Sequence, residues 1–186
     1  MKKNLLLLLI SSFFLFGFSI QKGKFIANTG KVSFFSSTPI EDIDAVNNKV
    51  TSILDTDKGE IVFSMTITDF VFKKSLMQTH FNENYMESEK YPKSTFKGKI
   101  TNLADVKFEV SGIYNAAIEG DITIHNVTQP IKVKATIEVK DGKIFAKSKF
   151  SVKTADYKVD IPKLVFQKIA ETIDVTVDLS YAPYTK

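Results

Sequence analysis

Apolar and polar residues alternate along this chain from Lys24 almost to its end. The segment 131–139 is typical, because five apolar side chains occupy every second position and lysine, threonine or glutamate lies between them. Successive side chains of a β-strand point to opposite faces, so each run has one apolar face and one polar face. The pattern indicates an all-β fold with an antiparallel sheet that buries a single side.

The alternating runs and the turns between them predict about eight strands. Asp141-Gly142 joins two runs and has the sequence of a two-residue hairpin turn that needs positive φ. Residues 106–126 are interpreted either as two short strands or as one long bent strand. The predicted strands cover residues 24–36, 48–55, 60–68, 94–102, 106–115, 116–126, 130–140, 143–153 and 171–182.

Two segments depart from the alternation. Between residues 72 and 90, Met77, Phe81 and Tyr85 are spaced by four, which is helical spacing on a short segment. Further along, Pro162 opens an apolar stretch in the way that proline opens the first turn of a helix. We therefore expect a short helical insertion in an otherwise all-β domain.

Strands with one buried face can close into a barrel or stack as two sheets. A barrel of eight strands is either filled by its own side chains or holds one small ligand. The inward faces mix small residues with large ones, namely Gly98, Ala135, Ala146 and Ser148 with Phe63, Phe96 and Phe150. The small residues either leave room for a ligand or lie opposite large residues in a tight core. Alternation alone leaves both questions open.

The first nineteen residues have the features of a secretory signal peptide. Lys2 and Lys3 form a positive start, and an apolar run at residues 5–18 follows. Gly17 and Ser19 are small residues at positions −3 and −1 relative to a cut after Ser19. The run is shorter than the ~20 residues that span a bilayer as a helix. An uncleaved N-terminal anchor is the alternative interpretation.

We expect residues 1–19 to direct export to the periplasm or the extracellular space, and residues 20–186 to form one domain of ordinary size. The chain contains no cysteine, which excludes a disulfide framework, a cysteine nucleophile and a lipid-modified N-terminal cysteine. Loss of the two lysines in the leader lowers the formal net charge from +4 by two. The mature chain is therefore only weakly basic.

The residue types argue against nucleic-acid binding and against catalysis. All 25 basic residues are lysine, whereas arginine is the residue that contacts phosphate and guanine bidentately. His80, in the helical segment, and His125, at the end of a strand, lack the spacing of metal ligands. We expect hydrogen-bonded structural roles for both histidines, no catalytic residue, and neither a metal nor a cofactor.

Lysines occupy outward positions of several predicted strands, at 97, 99, 132, 134, 147, 149 and 153. Such a stripe could contact anionic lipid or cell wall and so make a peripheral membrane contact. The alternative is that these are ordinary outward faces of strands, where lysine also discourages edge-to-edge pairing.

Three segments carry recognisable motifs: MQTHFNENY at 77–85, KYPKSTFKGKI at 90–100 and EGDITIHNVTQPI at 119–131. With a weaker match at residues 150–162, they resemble the YceI-like family of secreted bacterial proteins, in the same order along the chain. Tyr-Pro-x-x-x-Phe and Thr-Ile-His-x-Val-Thr-x-Pro are the most specific elements. One departure is Asn126, where the family usually has glycine, and asparagine also tolerates positive φ.

The resemblance implies an eight-stranded antiparallel lipocalin-like β-barrel with a short helical insertion. Barrels of this family are associated with polyisoprenoids or fatty amides held in the lumen, and the resemblance brings no catalytic set. We predict a non-enzymatic binding or carrier protein for a long apolar ligand, a polyisoprenoid or fatty-acyl lipid. The alternatives are a lipid-modifying enzyme that uses His80 or His125, and a structural or stress-response protein with a filled barrel.

The inward positions of the alternating runs are the candidate ligand contacts. Those predicted to bind lipid are Ile61, Phe63, Met65, Phe96, Ile100, Val133, Ala135, Ile137, Ala146 and Phe150. Those predicted to cover the cavity mouth are Phe70, Phe81, Tyr85 and Phe166. For the second group, simple capping of the core is the alternative.

Overall fold

The structure is a computed structural model that describes residues 22–161 and 168–185. The described residues are mostly strand, with one short helix between β4 and β5. The strands are β1 Lys24–Ser37, β2 Asp42–Asp55, β3 Glu60–Thr66, β4 Val71–Phe72, β5 Lys93–Ile100, β6 Gly112–Ile124, β7 Val127–Lys140, β8 Lys143–Lys153 and β9 Thr172–Pro183. The helix α1 covers Ser75–His80 and continues as a π-helical turn at Phe81–Tyr85.

The strands close into a barrel. In the described part of the chain they are hydrogen-bonded in the order β1-β9-β8-β7-β6-β5-β3-β2, and β2 pairs again with β1. The two-residue strand β4 pairs with the first half of β2, beside β3 on the same edge. Neighbouring strands are antiparallel throughout. The predicted eight-stranded antiparallel barrel with a short helical insertion is confirmed, and closure decides against two stacked sheets.

The predictions for the start of β2 and for residues 106–111 are wrong for identifiable reasons. β2 begins at Asp42 rather than at residue 48. The sequence did not indicate its first six residues because an inward polar residue, Asn47, interrupts the apolar pattern. Asn47 is fully buried, and its Nδ2 donates to the backbone oxygen of Thr66 at 2.8 Å. Residues 106–111 form a loop rather than a strand. Val106 and Phe108 alternate with polar residues because the loop inserts both side chains into the end of the barrel.

The tight turns follow the predicted backbone conformations. Asp141 and Gly142 have φ angles of 50° and 74°, which confirms the two-residue hairpin turn between β7 and β8. A second such turn joins β6 to β7, where His125 and Asn126 have φ angles of 50° and 58°. β7 therefore starts at Val127, three residues earlier than expected, and the asparagine does adopt positive φ.

The barrel is packed at one end and loosely filled at the other. Along the inward face of β7, Ala135, Ile137 and Val139 are buried, whereas Ile131 and Val133 are only half-buried. Strands β8 and β9 show the same gradient toward the same end. The packed end is built from Phe25, Val50, Leu54, Ile100, Phe108, Ile137, Val139 and Ile144.

Candidate functional site

The loosely filled end of the barrel contains a cavity of about 530 Å³. Its wall comes from the inward faces of the barrel strands, and its mouth lies beneath α1 and the π-helical turn. Within the described residues, the lining is almost wholly apolar through the depth of the lumen. A volume of this size is typical of sites that bury a small or medium organic ligand.

The structure brings most of the predicted contacts together. Eight of the ten residues predicted to bind lipid line the cavity, namely Ile61, Phe63, Met65, Phe96, Val133, Ala135, Ala146 and Phe150. Ile100 and Ile137 lie instead in the packed end, where only 3% and 1% of each is exposed. Both are inward residues as predicted, but side chains from other strands fill the space in front of them.

Much of the lining was not among the predicted contacts. The additional wall residues include Val32, Phe34, Ile118, Ile122, Ile131, Ile173, Val175, Val177 and Leu179. The residues of β6 and β9 are in phase with the same alternation that identified the others, so the signal was present in the sequence. The β1 residues had no such signal, because a bulge near Gly30 shifts the register between β1 and β2.

The small inward residues do not all leave space. Gly98 and Gly120 face each other across β5 and β6, and the ring of Phe96 lies over both. A Cβ at Gly98 would approach Phe96 Cζ and the backbone oxygen of Glu119 within 2.5 Å. The glycine pair therefore lets the Phe96 ring lie against the wall. Ala135 and Ala146, by contrast, do face the cavity.

Four phenylalanine rings form the wall between the lumen and the helical insertion. Phe81, on the π-helical turn, contacts Phe34, Phe70 and Phe72 with ring centroids 5.4, 5.6 and 5.0 Å apart. Such offset and tilted arrangements add to the apolar burial of the rings. Tyr85 lies on the same turn and, like Phe70 and Phe81, lines the cavity.

Phe166, the fourth residue predicted for the mouth, lies outside the described residues, as does the helical turn predicted from Pro162. The neighbouring residues Ile161, Lys168 and Ile169 line the cavity. The leader at residues 1–19 also lies outside the described part of the chain.

Tyr181 lies at the floor of the cavity, where it is 2% exposed. Its hydroxyl lies 2.7 Å from Ser52 Oγ, and Ser52 in turn donates to the backbone oxygen of Val62 at 2.9 Å. Since Ser52 has one proton, Tyr181 is the donor to it. Burial raises the pKa of Tyr181 to about 12, although the hydrogen bond with Ser52 acts in the opposite direction.

Apart from Lys147, whose ammonium pairs with Asp178 on the outer face, the charged residues of the described lining lie around the mouth. Glu41 comes from the loop between β1 and β2, and its carboxylate pairs with Lys74 Nζ at 3.0 Å. His80, the last residue of α1, is exposed at the same edge. Lys168 precedes β9 and also lines this end.

His125 lies outside the cavity lining and joins three segments of the protein. Its Nδ1 donates to the backbone oxygen of Tyr157 at 3.1 Å, and its Nε2 lies 3.0 Å from Glu87 Oε2. Both partners are hydrogen-bond acceptors. The ring also packs edge-on against Tyr91, at 4.7 Å between centroids. These contacts describe a structural histidine.

Three of the seven outer lysines form ion pairs with carboxylates on neighbouring strands in the described structure. Lys132 pairs with Glu119 at 3.0 Å, Lys149 with Asp174 at 3.4 Å, and Lys147 with Asp178 at 3.5 Å. The positive charge of the stripe is therefore compensated in part. Barrel closure also pairs the strand edges, so protection against edge pairing is not what these lysines provide.

Two further properties of the described residues bear on function. Within 22–161 and 168–185, histidine and carboxylate side chains do not form a group of three or more that could hold a metal ion. Across the same residues, no helix combines the length and the apolar character that crossing a bilayer would require.

Comparison with solved structures finds the same architecture. A polyisoprenoid-binding domain from Saccharophagus degradans implicated in plant cell wall breakdown aligns with a TM-score of 0.74 and 16% identity, over 88% of this chain and 100% of that one. BcnA from Burkholderia cenocepacia aligns with a TM-score of 0.68 and 14% identity, over 81% and 95% of the two chains. The Campylobacter jejuni YceI protein aligns over 100% of both chains, with 16% identity and a TM-score of 0.57. The three alignments show a shared fold.

The sequence itself places the chain in a family. No curated protein sequence matches it. The model of the YceI-like domain, however, matches residues 11–181, which is nearly the whole chain. The match includes the helical insertion, the strands β1 to β8 and β9 up to residue 181. This chain is therefore a member of the YceI-like family.

Proposed function

We propose that this protein is a non-enzymatic carrier that holds a long apolar ligand, an isoprenoid or acyl-chain lipid, in the barrel lumen. The observation that carries the proposal is the cavity of about 530 Å³, lined through its depth by aliphatic and aromatic side chains. An eight-stranded barrel can enclose such a ligand. A structural protein with a filled barrel, the main non-binding alternative, would not need this space.

Burial of hydrocarbon would supply the affinity. Each methylene group removed from water contributes ~0.8 kcal/mol, so ten buried carbons contribute about 8 kcal/mol before the costs of association. The wall needs only shape and apolar character for this, and both are present at Phe63, Ala146 and Phe150.

The histidines support binding rather than catalysis. A catalytic base must face the substrate beside a group that orients it. His125 is outside the lining, and both of its nitrogens contact structural partners. His80 reaches the mouth but is exposed there, and the one carboxylate among the described lining residues, that of Glu41, is paired with Lys74. A lipid-modifying enzyme is therefore the less favoured alternative.

We further propose that the protein is exported to the periplasm or beyond the cell by cleavage of residues 1–19. The charged start, the apolar run and the small residues Gly17 and Ser19 support this. N-terminal sequencing of the exported protein should begin at Ile20 or within a few residues of it. An intact Met1 on a membrane-embedded mature form would instead identify an anchor.

Native purification, solvent extraction and mass spectrometry test the carrier function directly. We expect an isoprenoid or acyl-chain lipid to be recovered in near-stoichiometric amount. The matched control is Ala146→Phe, whose ring takes part of the lumen, so this variant should be recovered with less lipid. Equal recovery from both proteins would show that the lipid adheres elsewhere, and absence of lipid together with no binding of added lipid would overturn the proposal.

A further inference from the structure

Exposed apolar side chains lie on two elements beside the cavity mouth. Ile40, in the loop between β1 and β2, is 57% exposed, and Leu76, in α1, is 65% exposed. Glu41, the residue after Ile40, lines the cavity, and so does Leu76 itself. Pro39 is also exposed, and we call Pro39, Ile40 and Leu76 the apolar rim. Grouped apolar residues on a surface, unlike single ones, mark a contact with another molecule.

An ion pair fixes the two parts of the apolar rim relative to each other. The Glu41 carboxylate lies 3.0 Å from Lys74 Nζ, which joins the β1–β2 loop to the residue that precedes α1. The neighbouring Lys73 pairs with Asp44 at 2.6 Å. Both of these carboxylates are therefore neutralised beside the rim, and so are both lysines. The contact that the rim makes is consequently apolar rather than electrostatic.

The β1–β2 loop bonds all of its own backbone donors. The Thr38 N–H donates to the backbone oxygen of Glu41 at 3.2 Å, and Pro39 has no N–H. The N–H groups of Ile40 and Glu41 donate to Thr38 Oγ1 at 3.3 and 3.1 Å. The Thr38 hydroxyl in turn donates to the backbone oxygen of Glu41 at 3.1 Å. No N–H group of residues 38–41 therefore needs a partner from water.

This internal bonding identifies the kind of surface that covers the rim. A protein partner supplies hydrogen bonds of its own, whereas lipid tails supply none, so a loop that enters lipid must satisfy its backbone internally. The mouth beside the rim also opens onto an apolar lumen. An apolar ligand that crosses water between a bilayer and this lumen loses the favourable burial of each methylene group on the way. Direct contact of the mouth with a bilayer avoids that loss.

We propose that the apolar rim inserts into the surface of a phospholipid bilayer, with the cavity mouth facing the lipid. Ile40 and Leu76 enter the boundary between headgroups and acyl chains, and the ammonium groups of Lys73 and Lys74 remain at the level of the headgroups. The proposed carrier function explains the use of this contact, but insertion itself requires no carried ligand. The inference differs from an electrostatic contact through the outer lysine stripe.

So few inserted side chains give a weak and reversible contact. A single myristoyl chain binds membranes with a constant of ~10⁴ M⁻¹, and the apolar rim offers less apolar surface than such a chain. Vesicles are therefore used at lipid concentrations on the order of millimolar. A weak contact also allows a carrier to leave the bilayer again.

Single labelled cysteines locate the inserted residues, since the natural chain has no cysteine. Ile40→Cys and Leu76→Cys place an environment-sensitive fluorophore on the apolar rim. Ile113→Cys is the matched control, because Ile113 is 72% exposed near the start of β6, next to the residue that pairs with Val139 of the packed end. With phosphatidylcholine vesicles, the emission of the labels at positions 40 and 76 should shift to shorter wavelengths, and that of the label at 113 should not.

Co-sedimentation of the unlabelled protein with vesicles measures the contribution of the same side chains. Ile40→Ser combined with Leu76→Ser should reduce vesicle affinity at least about tenfold, whereas Ile113→Ser should leave it unchanged. The wild-type protein should bind vesicles of phosphatidylcholine and of an equimolar mixture with phosphatidylglycerol to a similar extent. Added salt should have little effect, because salt screens charges and not apolar insertion.

Three outcomes would overturn the proposal. The first is an unshifted emission at positions 40 and 76, or an equal shift at 113. The second is binding that needs phosphatidylglycerol, weakens with salt and survives Ile40→Ser with Leu76→Ser, which would assign the contact to the lysine stripe. The third is a shift that appears without vesicles as protein concentration rises, which would assign the rim to a second copy of the chain.

These measurements are made without added ligand, so they are independent of the carrier function. Absence of lipid after extraction, together with no binding of added lipid, overturns the carrier function even where the rim inserts into vesicles. Recovery of lipid from a protein whose rim does not insert leaves the carrier function standing and overturns only the bilayer contact.

Discussion

The two histidines differ in their exposure and in their hydrogen-bond partners, so they should contribute differently to stability. The His125 side chain is 10% exposed and joins the β6–β7 turn to Glu87 and to the backbone of Tyr157. His80 ends α1 at the exposed rim of the cavity. Hydrogen bonds that involve a charged group contribute about 1.5–3 kcal/mol, whereas exposed positions contribute little.

We therefore expect His125→Gln to lower the free energy of unfolding by about 1–3 kcal/mol, and His80→Gln to change it by less than about 0.5 kcal/mol. Urea denaturation of the two variants measures this difference. Neither change should reduce ligand binding substantially. Loss of turnover of a lipid substrate in either variant, with binding retained, would replace the carrier function by an enzymatic one.

The burial of the Tyr181 hydroxyl predicts that the folded protein loses stability in alkaline solution. Because burial raises its pKa from 10.0 to about 12, the folded protein retains the phenolic proton over a range in which the unfolded chain loses it. This contribution to stability is complete below pH 10 and is lost as pH rises toward 12. At ~1.4 kcal/mol per pKa unit, the full loss is on the order of 2–3 kcal/mol.

Tyr181→Phe should flatten that part of the dependence of the unfolding free energy on pH, at a cost of about 1 kcal/mol near neutrality for the lost hydrogen bond to Ser52. Unfolding in urea at several pH values compares the two proteins, so that the exposed lysines common to both cancel. Parallel pH profiles for wild type and variant would show that another group is responsible.

At the scale of elements, the stability of the helical insertion depends more on the packing of the Phe81 ring than on the helix α1 itself. α1 has six residues, which is too short for stability in isolation. None of its residues is buried, and the following π-helical turn places Phe81 among Phe34, Phe70 and Phe72. π-Helical turns frequently occur at functional sites, and here the turn directs an aromatic side chain into the mouth of the barrel.

Phe81→Ala should lower the free energy of unfolding by about 2–3 kcal/mol, below the ~3–5 kcal/mol of a fully buried phenylalanine because Phe81 is half-buried. Hydrogen exchange should show loss of protection at residues 75–85 while the barrel strands remain protected. Leu76→Ala is the control, since Leu76 is 65% exposed and should contribute less than about 0.5 kcal/mol. Equal effects of the two substitutions would contradict the assignment to Phe81.

At the scale of the whole molecule, the barrel divides into a packed half that holds the fold together and an open half that can hold a ligand. Ala116 and Ala146 represent the two environments. Ala116 is 3% exposed and absent from the cavity lining, whereas Ala146 is half-buried and faces the cavity. A phenyl ring added at Ala116 therefore meets packed atoms, whereas the same ring added at Ala146 meets open space.

Ala116→Phe should cost about 1–3 kcal/mol by overpacking, a fall in melting temperature of about 2–4 °C for each kcal/mol in a domain of this size. Ala146→Phe should leave the melting temperature of the ligand-stripped protein near that of wild type and weaken lipid binding, because the ring takes space from the ligand. Scanning calorimetry with lipid analysis measures both. A large fall for Ala146→Phe, in a protein whose parent carries no lipid, would contradict a hollow barrel.

Much of this architecture could be predicted from the sequence because side-chain alternation and turn chemistry are local properties. Alternation identified which residues of β3, β5, β7 and β8 face inward, and it did so correctly even for Ile100 and Ile137. The hairpin turn at Asp141-Gly142 could be predicted because the tolerance of positive φ is a property of the two turn residues themselves. The choice of a barrel over two stacked sheets depended instead on the family resemblance, and the order of the strands was not predicted.

Only the tertiary structure decided which inward residues meet a ligand and which meet the protein. Ile137 and Val133 lie four residues apart on one face of one strand, yet the first is 1% exposed in the packed end and the second lines the cavity. The difference arises from side chains such as Phe25 and Phe108, which are distant in sequence and fill one end of the barrel. The period of a strand fixes the direction of a side chain, but what lies in that direction depends on the opposite wall.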